Sequence, residues 1–264
     1  IYSISNYFNG IEEKELMRLK VFTKNSSDTI EFGNYVKEIA QKLGFTVTEK
    51  DADAIIVIGG DGTLLRAVKE GLPIIGVKFG RRSALLDVRP ENVREALELL
   101  RENKYTTEEY IMLEGKSKNI NTVAFNEIAI LFNNPETVYG SVTIKERKIV
   151  FEGDGVMVAT PQGSWAWSYS ATRVLLHKEI NGIELTFMNP IMPNIRSIIL
   201  PQNEVIKIKL EDKGRVQNVR VISDGEVVGN LISKEDEELE IKVSKKKAKI
   251  LRFFSLIEFD GLFS

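Results

Sequence analysis

Five consecutive residues, Gly59-Gly60-Asp61-Gly62-Thr63, place a carboxylate among three glycines and a hydroxyl, directly after the apolar run Ala54–Ile58. The pattern predicts a buried strand, a glycine-rich turn and then a helix that begins at once. Glycine lets the backbone take positive φ and lets a ligand approach it closely, and amides at a helix start bind phosphate. Asp61 then stands at the carboxyl end of a parallel strand, where open α/β sheets hold ligands. The same residues also fit a plain tight turn with Asp61 or Thr63 capping the helix. Arg66, Lys78, Arg81 and Arg82 lie close enough in sequence to clamp a polyphosphate, or else are solvated surface charges.

Three further groups carry chemistry. Gly153-Asp154-Gly155 is followed by Thr160-Pro161-Gln162-Gly163-Ser164-Trp165-Ala166-Trp167-Ser168-Tyr169-Ser170. Small residues there let a flat ligand lie against backbone, and the two tryptophans offer π faces to a base, unless both are core residues and Asp154 a hairpin turn. Asn126-Glu127 interrupts the apolar stretch Val123–Phe132, and a buried Asn-Glu pair must find partners. Either a nucleoside or the protein interior supplies them. Ser223-Asp224-Gly225-Glu226 reads above all as a hairpin turn.

The elements that must position these residues change character along the chain. Strands are predicted at Leu19–Phe22, Phe45–Thr48, Ala54–Ile58 and Pro73–Val77, with helices from Asp28 to Leu43, at Thr63–Glu70 and at Pro90–Asn103. Such alternation predicts a parallel α/β sheet. After about Tyr110, β-rich runs recur at 123–132, 137–145, 149–152, 156–160, 183–188, 205–210, 219–223 and 239–243, as in an all-β sandwich. The expected organisation is thus an α/β domain over 17–110, a β-sandwich domain over 111–246, and an apolar stretch, 250–259, that returns to the first domain, completing it over 247–264. Residues 1–16 precede Met17 and read as an extension or an ordinary arm.

Composition narrows the chemistry. The 264 residues include no cysteine and one histidine, His177, which removes thiol chemistry, cysteine metal sites and two-histidine zinc sites. Catalysis must rest on carboxylates, hydroxyls and backbone groups. A net charge of −2 offers no basic field for nucleic acid. No apolar run reaches the length of a membrane span, and the first twenty residues lack the pattern of a secretory signal. A soluble, cytoplasmic protein with neither nucleic-acid nor membrane partners is expected.

Taken in order and spacing, Gly59–Thr63, Asn126-Glu127 and the block from Asp154 to Ala171 resemble the NAD kinase family, in a prokaryotic or archaeal form, over nearly the whole chain from Met17. The resemblance implies an N-terminal Rossmann-like α/β domain followed by a C-terminal β-sandwich domain. It also implies phosphoryl transfer from ATP or polyphosphate to the adenosine 2′-hydroxyl of NAD. Asp61 becomes the base, and Gly59, Gly60, Thr63, Arg66 and Arg81 face the donor phosphates. Gly62, Asn126, Glu127, Asp154, Trp165, Ala166, Trp167, Ser170 and Asp224 line the NAD site. No protein metal site is implied: Mg²⁺ or another divalent cation arrives with the donor. The family's homodimers or homotetramers complete the NAD site between subunits. Two departures stand out. The family's Gly-Phe pair is replaced by Ser83-Ala84, and Trp165-Ala166-Trp167 stands where Thr-Ala-Tyr is usual. The tryptophans are candidates to replace the aromatic surface lost at Ala84. Lipid kinases share the Gly-Gly-Asp-Gly turn, and a non-catalytic dinucleotide-binding regulator would keep Asn126-Glu127 without needing Asp61.

Overall fold

A computed structural model describes residues 16–79, 83, 85–235 and 237–254 of the chain. Strand β1 (Arg18–Thr23) leads into α1 (Ser27–Lys42), then β2 (Thr46–Val47), β3 (Ala54–Gly59), α2 (Asp61–Ala67), β4 (Ile74–Lys78) and α3 (Val93–Arg101). β2, β1, β3 and β4 pair in parallel in that order. Every residue of β3 is buried, as expected of a strand covered on both faces. Its alternation decides what each face meets. Ala54, Ile56 and Ile58 join the core shared with α1 and α3, whereas Ile55 and Val57 join Leu64 and Ala67 of α2.

The β-rich half comprises β5 (Thr106–Lys116), β6 (Asn121–Ala124), β7 (Glu127–Phe132), β8 (Val138–Ile144), β9 (Arg147–Gly153) and β10 (Gly155–Ala159). After α4 (Trp167–Thr172) come β11 (Gly182–Met188), β12 (Ser197–Pro201), β13 (Ile206–Leu210), β14 (Asn218–Ser223), β15 (Glu226–Ile232) and β16 (Glu238–Arg252). An antiparallel sheet, β12-β11-β10-β7-β14-β15, packs on β5, β6, β8, β9, β13 and the first part of β16 around a core that includes Phe151, Phe187, Ile130 and Val158. This is the expected sandwich beside the expected α/β layer.

β16 joins the two. Its first residues pair with β13, Ile250 and Leu251 pair in parallel with β4, and β5 follows most of its length, so one ten-stranded sheet crosses both halves. The expected boundary at residue 110 therefore falls within β5. Three expectations of local structure differ. The strand predicted over 123–132 breaks at Phe125-Asn126 into β6 and β7. The strand predicted at 239–243 runs on to Arg252 through a lysine-rich stretch, with a register shift between Val243 and Lys247. Asp154 is not in a hairpin: the chain there crosses from β9 in one sheet to β10 in the other. Among the described residues, no helix is long and apolar enough to cross a membrane.

Candidate active site

β3 delivers Gly59 to the carboxyl end of the parallel strands, and α2 begins two residues later. A Cβ on Gly59 would stand 2.3 Å from the Thr63 hydroxyl oxygen, so the tight entry into α2 needs glycine here. The Phe79 amide donates to the Gly59 carbonyl at 2.8 Å and ties the turn to the end of β4. Asp61 is the first residue of α2, and the Ser83 hydroxyl donates to its Oδ1 at 2.6 Å. The first amides of a helix lie outside its internal ladder. A phosphate near Asp61 and Gly62 therefore meets N–H groups and the positive end of the local dipole. Gly62 is exposed, and a Cβ there would meet nothing within 4 Å. Arg66 is exposed too, its guanidinium 5.4 Å from the Phe22 ring centroid. Arg81, with Gly80, Arg82 and Ala84, lies outside the described residues.

The second wall forms where β6 breaks into β7. Asp224 sits in the β14–β15 hairpin at φ 50°, a conformation short polar side chains tolerate. Its carboxylate accepts the amides of Phe125 (2.8 Å), Asn126 (2.8 Å) and Glu127 (3.3 Å). Burial raises the Asp224 carboxyl above its ordinary value, and those three amides oppose the rise. From the other side the Thr160 hydroxyl donates to the Phe125 carbonyl at 2.8 Å, and Gln162 Nε2 donates to the carbonyls of Phe125 and Ile111, each at 2.7 Å. A Cβ on Gly163 would lie 2.1 Å from the Asn126 carbonyl oxygen, so only glycine admits this contact. Thus backbone from 125 to 127 is held from both sides in a shape no regular strand adopts.

That frame keeps Asn126 only 7% and Glu127 only 4% exposed. Glu127 Oε2 is buried with no hydrogen-bond partner. Burial, helped by the Asp224 charge, pushes the Glu127 carboxyl up to about 8. An orphaned buried oxygen costs free energy until something satisfies it, and a hydroxyl or amine hydrogen is the kind of partner it lacks.

The two walls meet along one apolar seam. Leu64 and Ala67 of α2 share a cluster with Tyr110, Phe125 and Leu86, and the Tyr110 and Phe125 ring centroids are 5.5 Å apart. Lys69, just beyond α2, pairs with Glu226 of the Asp224 hairpin at 2.6 Å. The structure therefore brings the Asp61 turn, Asn126-Glu127 and Asp224 to one region.

It separates Asp154 from them. Asp154 lies at the opposite end of β10 from Thr160, about 20 Å away at the rise of a β-strand, where Asn189 Nδ2 donates to it at 2.6 Å. Trp165 Nε1 donates to the Leu176 carbonyl at 2.8 Å. Ala166 and Trp167 are half-buried, and Trp167 packs on Ala129, Met157 and Met188, on the outer face of the six-stranded sheet. Ser170 is exposed on α4. Thr160, Gln162 and Ser83 join the site through contacts that the sequence motifs do not assign. A polar residue ending a buried apolar strand was the available signal for Thr160; nothing local marked Ser83 as a partner of Asp61.

An α/β layer with a carboxylate at its glycine turn, packed beside a polar wall on a β-sandwich, is an arrangement that suits phosphoryl transfer to an alcohol, and the comparisons with known proteins place the chain in that class. The ATP-NAD kinase N-terminal domain matches residues 8–105, and the ATP-NAD kinase C-terminal domain matches 125–253. The NAD kinase of Sulfurisphaera tokodaii is 79% identical over 248 residues, 94% of this chain and 100% of that one. The NAD kinase of Saccharolobus solfataricus is 45% identical over 91% of this chain and 95% of that one. Among solved structures, yeast NADH kinase complexed with NADH has the same fold, with a TM-score of 0.80 at 19% identity over 95% of this chain and 87% of that one. An Archaeoglobus fulgidus NAD kinase in complex with ATP gives 0.74 at 23% identity over 92% and 95%. The chain belongs to the NAD kinase family.

Proposed function

We propose that the protein transfers the terminal phosphoryl group of ATP, or of polyphosphate, to the adenosine 2′-hydroxyl of NAD, giving NADP. The observation that carries this reading is Asp61, held through one oxygen by Ser83 at the head of the glycine turn, across an apolar seam from the wall that presents Asn126 and Glu127. The adenosine packs at that wall and its polar edge satisfies Asn126 and the orphaned Glu127 oxygen. Asp61 takes the 2′-hydroxyl proton as that oxygen attacks phosphorus, and ADP or the shortened polyphosphate leaves. Gly59, Gly60, Thr63, Arg66 and Arg81 face the donor phosphates. Transfer of this kind depends on positioning and charge neutralisation. The divalent cation enters as part of the donor substrate, Mg-ATP.

The protein acts in the cytoplasm as a homodimer or homotetramer. Asp154 contacts the nicotinamide end of NAD, while Trp165, Ala166, Trp167 and Ser170 border the adenine. Exposed Ile191 (67%), two residues beyond Asn189, supports self-association on the Asp154 side of the sandwich. Mixing Asp61→Asn with Asp154→Ala protein tests the shared site: subunit exchange restores activity if neighbouring chains complete it, and leaves none if they do not.

The decisive assay incubates pure protein with NAD and Mg-ATP, or Mg-polyphosphate, and reads NADP through an NADP-specific dehydrogenase. NADP formation with one donor identifies that donor. Tight NAD binding with no NADP from either donor sinks the kinase reading in favour of a regulator, and phosphorylation of a lipid instead favours a lipid kinase.

A further inference from the structure

Arg252 ends β16 with only 8% of its surface exposed. Its Nε donates to Glu108 at 2.7 Å and its Nη2 to the Tyr110 hydroxyl at 2.8 Å. Its Nη1 donates to the Leu85 carbonyl at 2.6 Å and approaches Asp87 Oδ1 at 3.3 Å. The Leu85 carbonyl and the Leu86 amide belong to a single peptide group. On the far side of that group the Leu86 N–H donates to Ser83 Oγ at 3.3 Å, and the Ser83 hydroxyl donates in turn to Asp61 Oδ1 at 2.6 Å. The bonds run head to tail: guanidinium to carbonyl, amide to hydroxyl, hydroxyl to carboxylate. Each one polarises the next in the same sense.

We propose that Arg252, the Leu85–Leu86 peptide and Ser83 form a relay that fixes and charge-stabilises the Asp61 carboxylate for its task as base. Arg252 and Ser83 are positioning residues, since each acts through its hydrogen bonds on the base. Ser83 stands where the resemblance to the family implies a glycine, and glycine has no hydroxyl to pass the bond on. The position of Arg252 suits the task. It is anchored by Glu108, which also takes Lys178 at 2.6 Å, and by Tyr110, whose ring packs on Phe125. The residue that braces Asp61 is therefore braced by the strand that flanks the Asn126-Glu127 wall.

The relay rests on the kinase reading for its consequence, though not for its geometry, and the test separates the two. Ser83→Ala, Arg252→Lys and the double variant are compared with the parent in steady-state NADP formation, thermal unfolding and backbone hydrogen exchange. Ser83→Ala lowers kcat about 10- to 100-fold, the value of one hydrogen bond to a charged group, while KM for NAD moves less than about 3-fold. Ser83→Thr keeps a hydroxyl and restores kcat. The double variant loses no more than Ser83→Ala alone, because both changes act through the same peptide group. Should Arg252→Lys fail to fold, the Ser83 pair still decides the question. A Ser83→Ala kcat within about 2-fold of the parent, or losses that multiply in the double variant, overturns the relay. Exchange at the Leu86 amide quickens in Ser83→Ala if the relay exists and is unchanged if it does not, even in a protein that makes no NADP.

Discussion

The Glu127 carboxyl makes a thermodynamic statement that can be read without turnover. Its value is about 8 against an ordinary 4.5, chiefly from burial and then from the Asp224 charge. The native state therefore keeps this proton in a range where the unfolded chain has already released it. The native state binds more protons there, so stability falls as pH rises. The contribution is complete below 4.5 and is gone once pH has passed about 8. One proton changes stability by about 1.4 kcal/mol per pH unit, so the interval amounts to about 5 kcal/mol. Glu127→Gln keeps the shape and removes the titration. Urea unfolding of both proteins at half-unit steps from pH 5 to 9 isolates this residue together with its coupling to Asp224, because groups that do not interact with it cancel in the difference. The stability of the parent minus that of Glu127→Gln is expected to fall by about 1.4 kcal/mol per unit up to pH 8 and then level. A difference that stays flat from pH 5 to 8 refutes the reasoning and means that the carboxylate is solvated or partnered in the native protein.

Other perturbations bear on the same site. Asp61→Asn is expected to reduce kcat about 10²- to 10⁴-fold, the value of a positioned base, with little change in NAD affinity by calorimetry. Retention of most of kcat removes Asp61 from the role of base. Asp224→Ala strips three amides of their charged acceptor and is expected to cost about 3–5 kcal/mol in chemical unfolding, with a raised KM for NAD as 125–127 loses its shape. Asp224→Asn tolerates the same positive φ and keeps one acceptor oxygen, so it should cost less, about 1–2 kcal/mol. Trp167→Ala empties part of the cluster over Met157 and should cost about 1–3 kcal/mol. If its indole also serves as the aromatic wall of the adenine site, NAD binding weakens as well, and an unchanged Kd assigns Trp167 to packing alone.

What the sequence determined by itself was local. The unbroken apolar run at 54–58 predicts a strand buried on both faces. The glycines around Asp61 predict the abrupt passage into α2. Asp224-Gly225 predicts its hairpin, which appears with both residues at positive φ. Each depends on the backbone preferences of adjacent residues, and the chain carries those wherever it goes. The strand at 106–116 and the long reach of β16 were less legible. Their polar outer residues, including Lys245, Lys246 and Lys247, hide the alternation that betrays a strand, and pairing with each other supplies what local preference lacks. The functional linkages were invisible for a stronger reason. Asp224 holds the 125–127 amides across 97 to 99 residues of chain, Ser83 finds Asp61 across 22, and Arg252 reaches the Leu85 carbonyl across 167. No propensity encodes such a partner, because a hydrogen bond needs two groups within about 3 Å and only the folded chain sets that distance. The residue types at 61, 126, 127 and 224 stated which chemistry was available; tertiary structure alone decided that their elements pack into one region, and that a serine bonds the carboxylate while a distant arginine holds the peptide behind that serine.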